Sequence, residues 1–197
     1  MQGHYPLRIK RLKHTVKRVV QVLMVVVLIA IGIRIFIGEP CHIASASMEP
    51  AILAGDWLWI NKFSYGSRMP ERWADIPLVN AFTHIAALRN ADAQINWGYH
   101  RLPGIRQPKV GDIIVFNSPE NEALLLIKRV AAIQTKNDTL LYCVHGDNAP
   151  ISRDSRYFGC VPERLVVGTV NRVIISIEKQ ESKRSTLRTA RIYRQLK

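Results

Sequence analysis

The sequence predicts a mainly β body that follows one amino-terminal transmembrane helix. A basic segment, residues 1–18, precedes an apolar stretch at 19–37, and five short runs rich in Val and Ile follow, separated by Gly and Pro. Such runs with turn residues between them are typical of strands, and the body has no strong amphipathic helix pattern. At 197 residues the chain is long enough for one domain with a real core and a small appendage.

Residues 19–37 are apolar except for Gln21, Gly32 and Arg34. At about 1.5 Å per residue they nearly span a hydrocarbon core of about 30 Å. Arg34 is three residues from the end, where a long side chain can reach the interface. Six cationic residues precede the span, and after Arg34 no basic residue occurs before Lys62. This asymmetry predicts a cytoplasmic amino terminus and a body outside the cytoplasm.

A cleavable secretory signal peptide is the alternative interpretation, with Ala44-Ser45-Ala46 as a small-x-small cleavage site. Against it, the apolar run is at the long limit for such a peptide, and Arg34 and Glu39 precede the supposed cut. Either interpretation exports the body. We expect four parts, namely a basic cytoplasmic segment (1–18), a transmembrane helix (19–37), an extracytoplasmic β domain (38–177) and a basic tail (178–197).

The formal net charge of +13 lies at the two ends of the chain, because residues 38–170 contain 13 basic and 13 acidic residues. No zinc-finger, RNP or basic-helix pattern is present, so we expect no nucleic-acid partner. The basic tail suits an anionic membrane surface, and a solvated, frayed end is the alternative.

The five runs predict strands at residues 56–60, 112–116, 124–133, 140–144 and 165–177. Residues 65–108 interrupt this pattern and are interpreted as an insertion or lid. Cys143 and Cys160 flank one loop and could pair in an oxidising compartment, which the sequence leaves open. The histidines show no metal-ligand spacing, so we expect neither a metal nor a cofactor; those considered are His42, His84, His100 and His145.

Three polar stretches occur where packing gives no reason for them. They are residues 45–50, Lys128-Arg129 inside an apolar run, and 146–162. A serine hydroxyl needs a base to become a nucleophile, and lysine can be that base when burial keeps it neutral. Arg129 would then point to the other face of the strand, with Asp147 or Asp154 as its partner. A solvated Lys-Arg pair on an edge strand is the alternative.

The ordered motifs resemble bacterial type I signal peptidases over residues 19–170. They are Ser45-x-Ser47-Met48-x-Pro50, Gly55-Asp56, Gly111-Asp112-Ile113-Ile114-Val115-Phe116, Lys128-Arg129-Val130 and Gly146-Asp147-Asn148-x3-Ser152-x-Asp154-Ser155-Arg156-Tyr157-x-Gly159-x-Val161-Pro162. Any one motif is weak, but the ordered set after a membrane segment is specific.

The resemblance implies that Ser47 is the acylating nucleophile and Lys128 its general base. It implies an oxyanion site at the Ser47 backbone N–H and the Ser45 hydroxyl, with Ser152 orienting Lys128. His145 is the alternative base, as in eukaryotic-type relatives. The remaining implied site residues are the supporting ion-pair partners Arg129, Asp147, Asp154 and Arg156, and the pocket residues Ile43, Met48 and Ile127.

The implied function is removal of signal peptides from exported preproteins, after small-x-small sites, by a monomer in the bacterial cytoplasmic membrane. One departure is that the family's Gly-x-Pro-Gly-Asp turn does not follow the Lys-Arg strand. Only 17 residues separate Arg129 from Asp147, so the second, smaller β domain of larger members is missing. The alternatives are a catalytically impaired, membrane-tethered binding or assembly protein, and a peptidase restricted to a pilus or conjugation substrate.

Overall fold

The computed structural model describes residues 5–79, 85–179 and 185–196. Predicted features outside these ranges are His84 of the insertion, residues 180–184 of the tail and the extreme ends of the chain. The helices are α1 (Tyr5–Gly32), α2 (Ala86–Asp92) and α3 (Ser155–Phe158). The strands are β1 (Gly38–His42), β2 (Asp56–Asn61), β3 (Ile113–Asn117), β4 (Leu125–Lys136), β5 (Thr139–His145), β6 (Val161–Pro162), β7 (Val166–Lys179) and β8 (Ser185–Leu187).

Helix α1 continues into a wider π-helical turn, Ile33–Ile37, before β1 begins. The stretch Lys13–Ile37 is 25 residues long and apolar enough to cross a membrane, and none of it is buried against the body. At about 1.5 Å per residue its length exceeds a hydrocarbon core of about 30 Å. The predicted amino-terminal helix is therefore confirmed.

The body is one antiparallel sheet in the order β1-β2-β7-β3-β4-β5-β6, and β8 adds to the far end of β7. All five strands that the sequence predicts are present, as β2, β3, β4, β5 and β7. Strand β3 is central and has both faces covered. Ile114 and Phe116 lie in one buried cluster, while Ile113 and Val115 lie in another that includes Met48. The mainly β fold class is confirmed.

Strand β4 runs on where the family's turn is missing. It continues to Lys136 and joins β5 through Asn137 and Asp138. Both residues have positive φ, 49° and 58°, as a two-residue type I′ hairpin turn requires. The Lys-Arg strand is therefore held in a regular hairpin, with one bulge between Val130 and Ala132.

Both ends of the insertion are hydrogen-bonded to the sheet region. The Tyr65 hydroxyl donates to Asp112 at 2.7 Å, and Arg106 donates to the same carboxylate. The Arg101 guanidinium donates to the carbonyls of Tyr65 and Gly66 and to those of Glu163 and Val166. These contacts attach the insertion to the strand β3 and β7 regions.

Candidate active site

The predicted nucleophile lies in a turn that the core holds from one side. Ser47 follows β1, and the next residue, Met48, is only 2% exposed. The Ile52 N–H donates to the Met48 carbonyl at 2.9 Å, and Ile52 is fully buried. The turn forms here because burial of the Met48 and Ile52 side chains is favourable. Ser47 then stays at the edge of the core, where Lys128 of β4 reaches it.

Lys128 reaches this turn from β4. Its Nζ lies 2.6 Å from the Ser47 Oγ, across 81 positions of sequence. The lysine is 3% exposed, and within the three described ranges no carboxylate forms an ion pair with it. Burial lowers the pKa of Lys128 below its ordinary value, while the charges of Asp154 and Asp147 oppose the shift.

Arg129 projects from the other face of β4 because side chains alternate along a strand. Its guanidinium makes two 2.8 Å hydrogen bonds to Asp147 and a third, at 2.9 Å, to the Gly111 carbonyl. The hydrogen bond with Asp147 raises the pKa of Arg129. Of the two carboxylates that the sequence offered, Asp147 is therefore the partner of Arg129.

Asp154 is paired with Arg156 instead. It is fully buried and accepts from the Arg156 Nε at 2.8 Å, from its Nη2 at 2.9 Å, and from the Gly146 N–H at 3.1 Å. Burial alone would raise the pKa of Asp154, but these hydrogen bonds hold it well below its usual range. Each carboxylate near Lys128 thus has an arginine of its own, which leaves the lysine amine facing Ser47.

The two predicted oxyanion donors lie side by side. The Ser47 N–H donates to the Ser45 hydroxyl oxygen at 3.2 Å, which leaves the hydroxyl proton of Ser45 available to another acceptor. Ser152 is 3% exposed, and its hydroxyl lies beside the Asp154 carboxylate and makes no hydrogen bond to Lys128. Its orienting role stays a prediction.

Asn148 is a residue to which the sequence reasoning gave no role. Its side-chain amide donates to the Ala46 carbonyl at 3.2 Å, and its backbone N–H donates to the Ser47 carbonyl at 3.1 Å. The feature of the sequence that could have pointed to Asn148 is the Gly146-Asp147-Asn148 stretch, whose polarity packing does not explain. The two hydrogen bonds hold the carbonyls of Ala46 and Ser47, and so fix the turn just before and just after Ser47.

The alternative base lies away from Ser47. His145 is opposite Arg129 in the β4–β5 ladder and is exposed, so it shares the face of Arg129 rather than that of Lys128. A disulfide joins Cys143 to Cys160 and closes the loop that contains the predicted support residues Asp147 and Asp154. No group of three potential metal ligands occurs among the described residues.

A cleft of about 370 Å³ opens beside Ser47 and Lys128. All three predicted pocket residues, Ile43, Met48 and Ile127, line it. At its rim Arg153 forms a salt bridge with Glu120 at 2.7 Å. The walls are therefore mostly aliphatic near the reacting pair and charged at the rim.

The chain matches the family described as "Signal peptidase, peptidase S26" over residues 16–141 and 138–175. It is 34% identical over 149 residues to "Probable signal peptidase I-2" of Synechocystis sp., covering 72% of this chain and 65% of that protein. It is 32% identical over 138 residues to "Signal peptidase I" of Buchnera aphidicola subsp. Baizongia pistaciae, covering 68% and 36%. For "Signal peptidase I" of Pseudomonas aeruginosa the identity is 28% over 160 residues, covering 78% and 43%. The chain thus spans less than two thirds of the length of these relatives.

Proposed function

The chain belongs to the signal peptidase family, peptidase S26, and we propose from this membership that it is a membrane-anchored serine endopeptidase that removes signal peptides from exported preproteins. The observation that supports the proposal most is the 2.6 Å separation between the Ser47 Oγ and the Nζ of a buried lysine. A lowered pKa gives that lysine a larger neutral fraction, which general-base catalysis requires.

The proposed reaction proceeds through an ester on Ser47. Lys128 takes the hydroxyl proton as the Oγ attacks the scissile carbonyl carbon, and negative charge develops on the carbonyl oxygen. The Ser45 hydroxyl stabilises that charge, and so does the Ser47 N–H once it turns from the Ser45 oxygen to the substrate oxygen. The C–N bond then breaks, and Lys128 gives its proton to the leaving amine. Lys128 next deprotonates a water, which attacks the ester carbonyl. The C–O bond to Ser47 then breaks, Lys128 returns the proton to the Oγ, and the signal peptide leaves with a free carboxylate.

Two features support a preference for small side chains before the cut. The family resemblance assigns shallow pockets to the first and third positions before the scissile bond, and Ile43, Met48 and Ile127 line the cleft here. These aliphatic side chains line the cleft beside Ser47, and on the family's pattern they would admit alanine and exclude a bulky residue. Ala-x-Ala sites are the proposed substrates.

We propose that helix α1 anchors the body outside the cytoplasm. The six basic residues that precede the apolar stretch favour a cytoplasmic amino terminus in the bacterial cytoplasmic membrane. Substrates that leave the membrane through the secretion pathway would then meet the cleft on the same side.

The test is cleavage of an Ala-x-Ala preprotein by the detergent-solubilised full chain. We expect wild type to cut after the second alanine, and Ser47→Ala and Lys128→Ala to show no turnover while remaining folded. Lys128→Arg should not restore activity, because a guanidinium stays protonated. Ser185→Ala and Lys136→Ala are matched controls at exposed positions, the latter on the same strand as Lys128, and both should cleave like wild type.

Other outcomes would favour the alternatives. A folded wild type that cuts no general preprotein but does cut a pilus or conjugation precursor would be a substrate-restricted peptidase. One that binds exported proteins and cuts none would be a tethered binding or assembly protein. Retained turnover in either alanine variant would refute the Ser47–Lys128 dyad.

A further inference from the structure

The carboxyl-terminal segment folds back onto the body. We call Arg188–Leu196 the C-terminal strap. The Arg188 N–H donates to the Ser176 carbonyl, the Val173 N–H donates to the Arg194 carbonyl, and the Leu196 N–H donates to the Asn171 carbonyl, all between 2.9 and 3.0 Å. Leu196 also packs against the buried cluster that contains Met48. The strap thus runs beside β7, and its last described residue packs on the core cluster to which Met48, the neighbour of Ser47, belongs.

Arg191 is the buried residue of this strap. It is only 7% exposed, although it belongs to a stretch that the sequence predicts as a basic tail. Its Nη2 donates to the Asp56 carboxylate at 2.6 Å and to the Ala51 carbonyl at 2.9 Å. Arg188, one 3₁₀ turn earlier, donates to the Ala54 carbonyl at 3.2 Å. These two strap arginines therefore contact the loop of residues 51–56, which follows the turn that contains Ser47.

Asp56 links this contact to both sides of Ser47. Its carboxylate also accepts from the Leu53 N–H at 2.9 Å, and its backbone carbonyl accepts from the Ile43 N–H at 2.9 Å. Ile43 enters the turn that contains Ser47, and Leu53 leaves it. The carboxylate is fully buried, and although burial raises its pKa, the hydrogen bond from Arg191 helps to keep the pKa below its usual range.

A buried ion pair is weak evidence for stability by itself, because desolvation offsets the attraction between the charges. Its geometric consequence is clearer. The planar guanidinium presents its donors in a rigid fork and so holds a carboxylate and a backbone carbonyl in fixed directions, whereas a lysine ammonium is a point charge on a flexible stem and fixes neither direction. The contact therefore fixes where the 51–56 loop lies relative to the strap.

We propose that Arg191 is a positioning residue for catalysis, and that the C-terminal strap holds the Ala51–Asp56 loop so that Ser47 stays within reach of Lys128. The inference rests on the proposed function. It goes beyond the family match, which ends at residue 175 and so does not include the strap.

The test compares Arg191→Lys with Arg194→Lys in the full chain. The first variant keeps a charge opposite Asp56 but loses the rigid fork that also fixes the Ala51 carbonyl. The second makes the same substitution on the same strap at an exposed residue whose side chain has no partner in the described ranges. We expect Arg191→Lys to lower kcat at least tenfold with KM within twofold, measured where the folded fraction equals that of wild type. Arg194→Lys should match wild type.

Hydrogen exchange supplies a readout that does not depend on turnover. In Arg191→Lys the amides of Ile52, Leu53 and Ile43 should exchange at least tenfold faster, while those of β3 keep their wild-type rates. An unchanged kcat with a lower melting temperature would show a purely structural role and overturn the proposal. An equal loss of kcat in Arg194→Lys would also overturn it.

The exchange data separate this inference from the proposed function. If wild type cleaves no preprotein, the proposed function fails, and faster exchange around Ser47 in Arg191→Lys still supports the strap. If wild type cleaves and the exchange change is confined to residues 188–196, the proposed function stands and the positioning role is refuted.

Discussion

Gly146→Ala would place a methyl group between the nucleophile turn and the loop behind it. A Cβ at this position would lie 2.5 Å from the Ser47 carbonyl oxygen, 2.1 Å from the Ser152 Oγ and 2.5 Å from the Ser152 Cβ. Ordinary van der Waals contact begins at 3.4 Å, so the Ser47 carbonyl would have to move by roughly 0.9 Å and the Ser152 hydroxyl by roughly 1.3 Å. The two neighbours lie in different chain segments, so one shift does not relieve both contacts.

The expected loss of activity follows from this displacement of the Ser47 backbone. Overpacking of this kind costs about 1–3 kcal/mol of stability, which a folded domain survives. A shift of the Ser47 backbone of about 1 Å would break the 2.6 Å contact with Lys128, and misplacement on this scale costs about 100-fold in rate. We therefore expect kcat/KM to fall about 100-fold, or about 2.7 kcal/mol of transition-state stabilisation, in a protein that is still folded.

The assay is initial-rate cleavage of an Ala-x-Ala preprotein, with near-ultraviolet circular dichroism as the check on folding. Gly32→Ala is the matched control, because no atom of the described residues lies within 4 Å of a Cβ there. A Gly146→Ala enzyme with kcat/KM within threefold of wild type would refute the argument that tight packing behind Ser47 sets the reactive geometry.

Three further predictions concern charge and covalent links. Asp147→Asn removes a charge that raises the pKa of Lys128, so the midpoint of the kcat/KM rise with pH should move to lower pH, and an upward move would contradict this. The pKa of Asp154 is lowered on folding from 3.8, so its stabilisation is complete above that pH and is lost as the pH falls below it. Asp154→Asn should cost about 1–3 kcal/mol at neutral pH and should weaken this acid dependence in urea titrations. Cys143→Ala with Cys160→Ala should lower the free energy of unfolding by about 3 kcal/mol, since the disulfide closes a loop 17 residues long, and an unchanged urea midpoint would contradict it.

Local pattern accounts for the strands that were predicted. β2 alternates buried Leu58 and Ile60 with the more exposed Trp57 and Trp59, so its period of two is visible in the sequence. β1 was not predicted, because Gly38 and Pro40 are poor strand formers. Among the strands that the structure describes, it pairs with β2 alone. Proline is tolerated on such an edge strand, because its missing N–H can face away from the neighbouring strand.

Long-range pairings at the site could not be derived from spacing. Arg129 had two candidate carboxylates, and only the position of the 146–156 loop assigns Asp147 to it. Arg191 resembles any other cation of a basic tail, since its partner Asp56 is 135 residues away. The likeness to a known family points to Ser47 and Lys128 together, whereas the sequence pattern alone favours a solvated Lys-Arg pair on an edge strand.

The central claim is that Lys128 is the neutral base for Ser47, and its pKa can be measured directly. The ¹⁵Nζ signal of Lys128 in the detergent-solubilised chain, assigned by its loss in Lys128→Met, should titrate below the ordinary lysine value of about 10.4. The account predicts that this midpoint coincides with the midpoint of the kcat/KM rise for preprotein cleavage. A Lys128 that stays protonated across the pH range in which the enzyme is active would contradict the account.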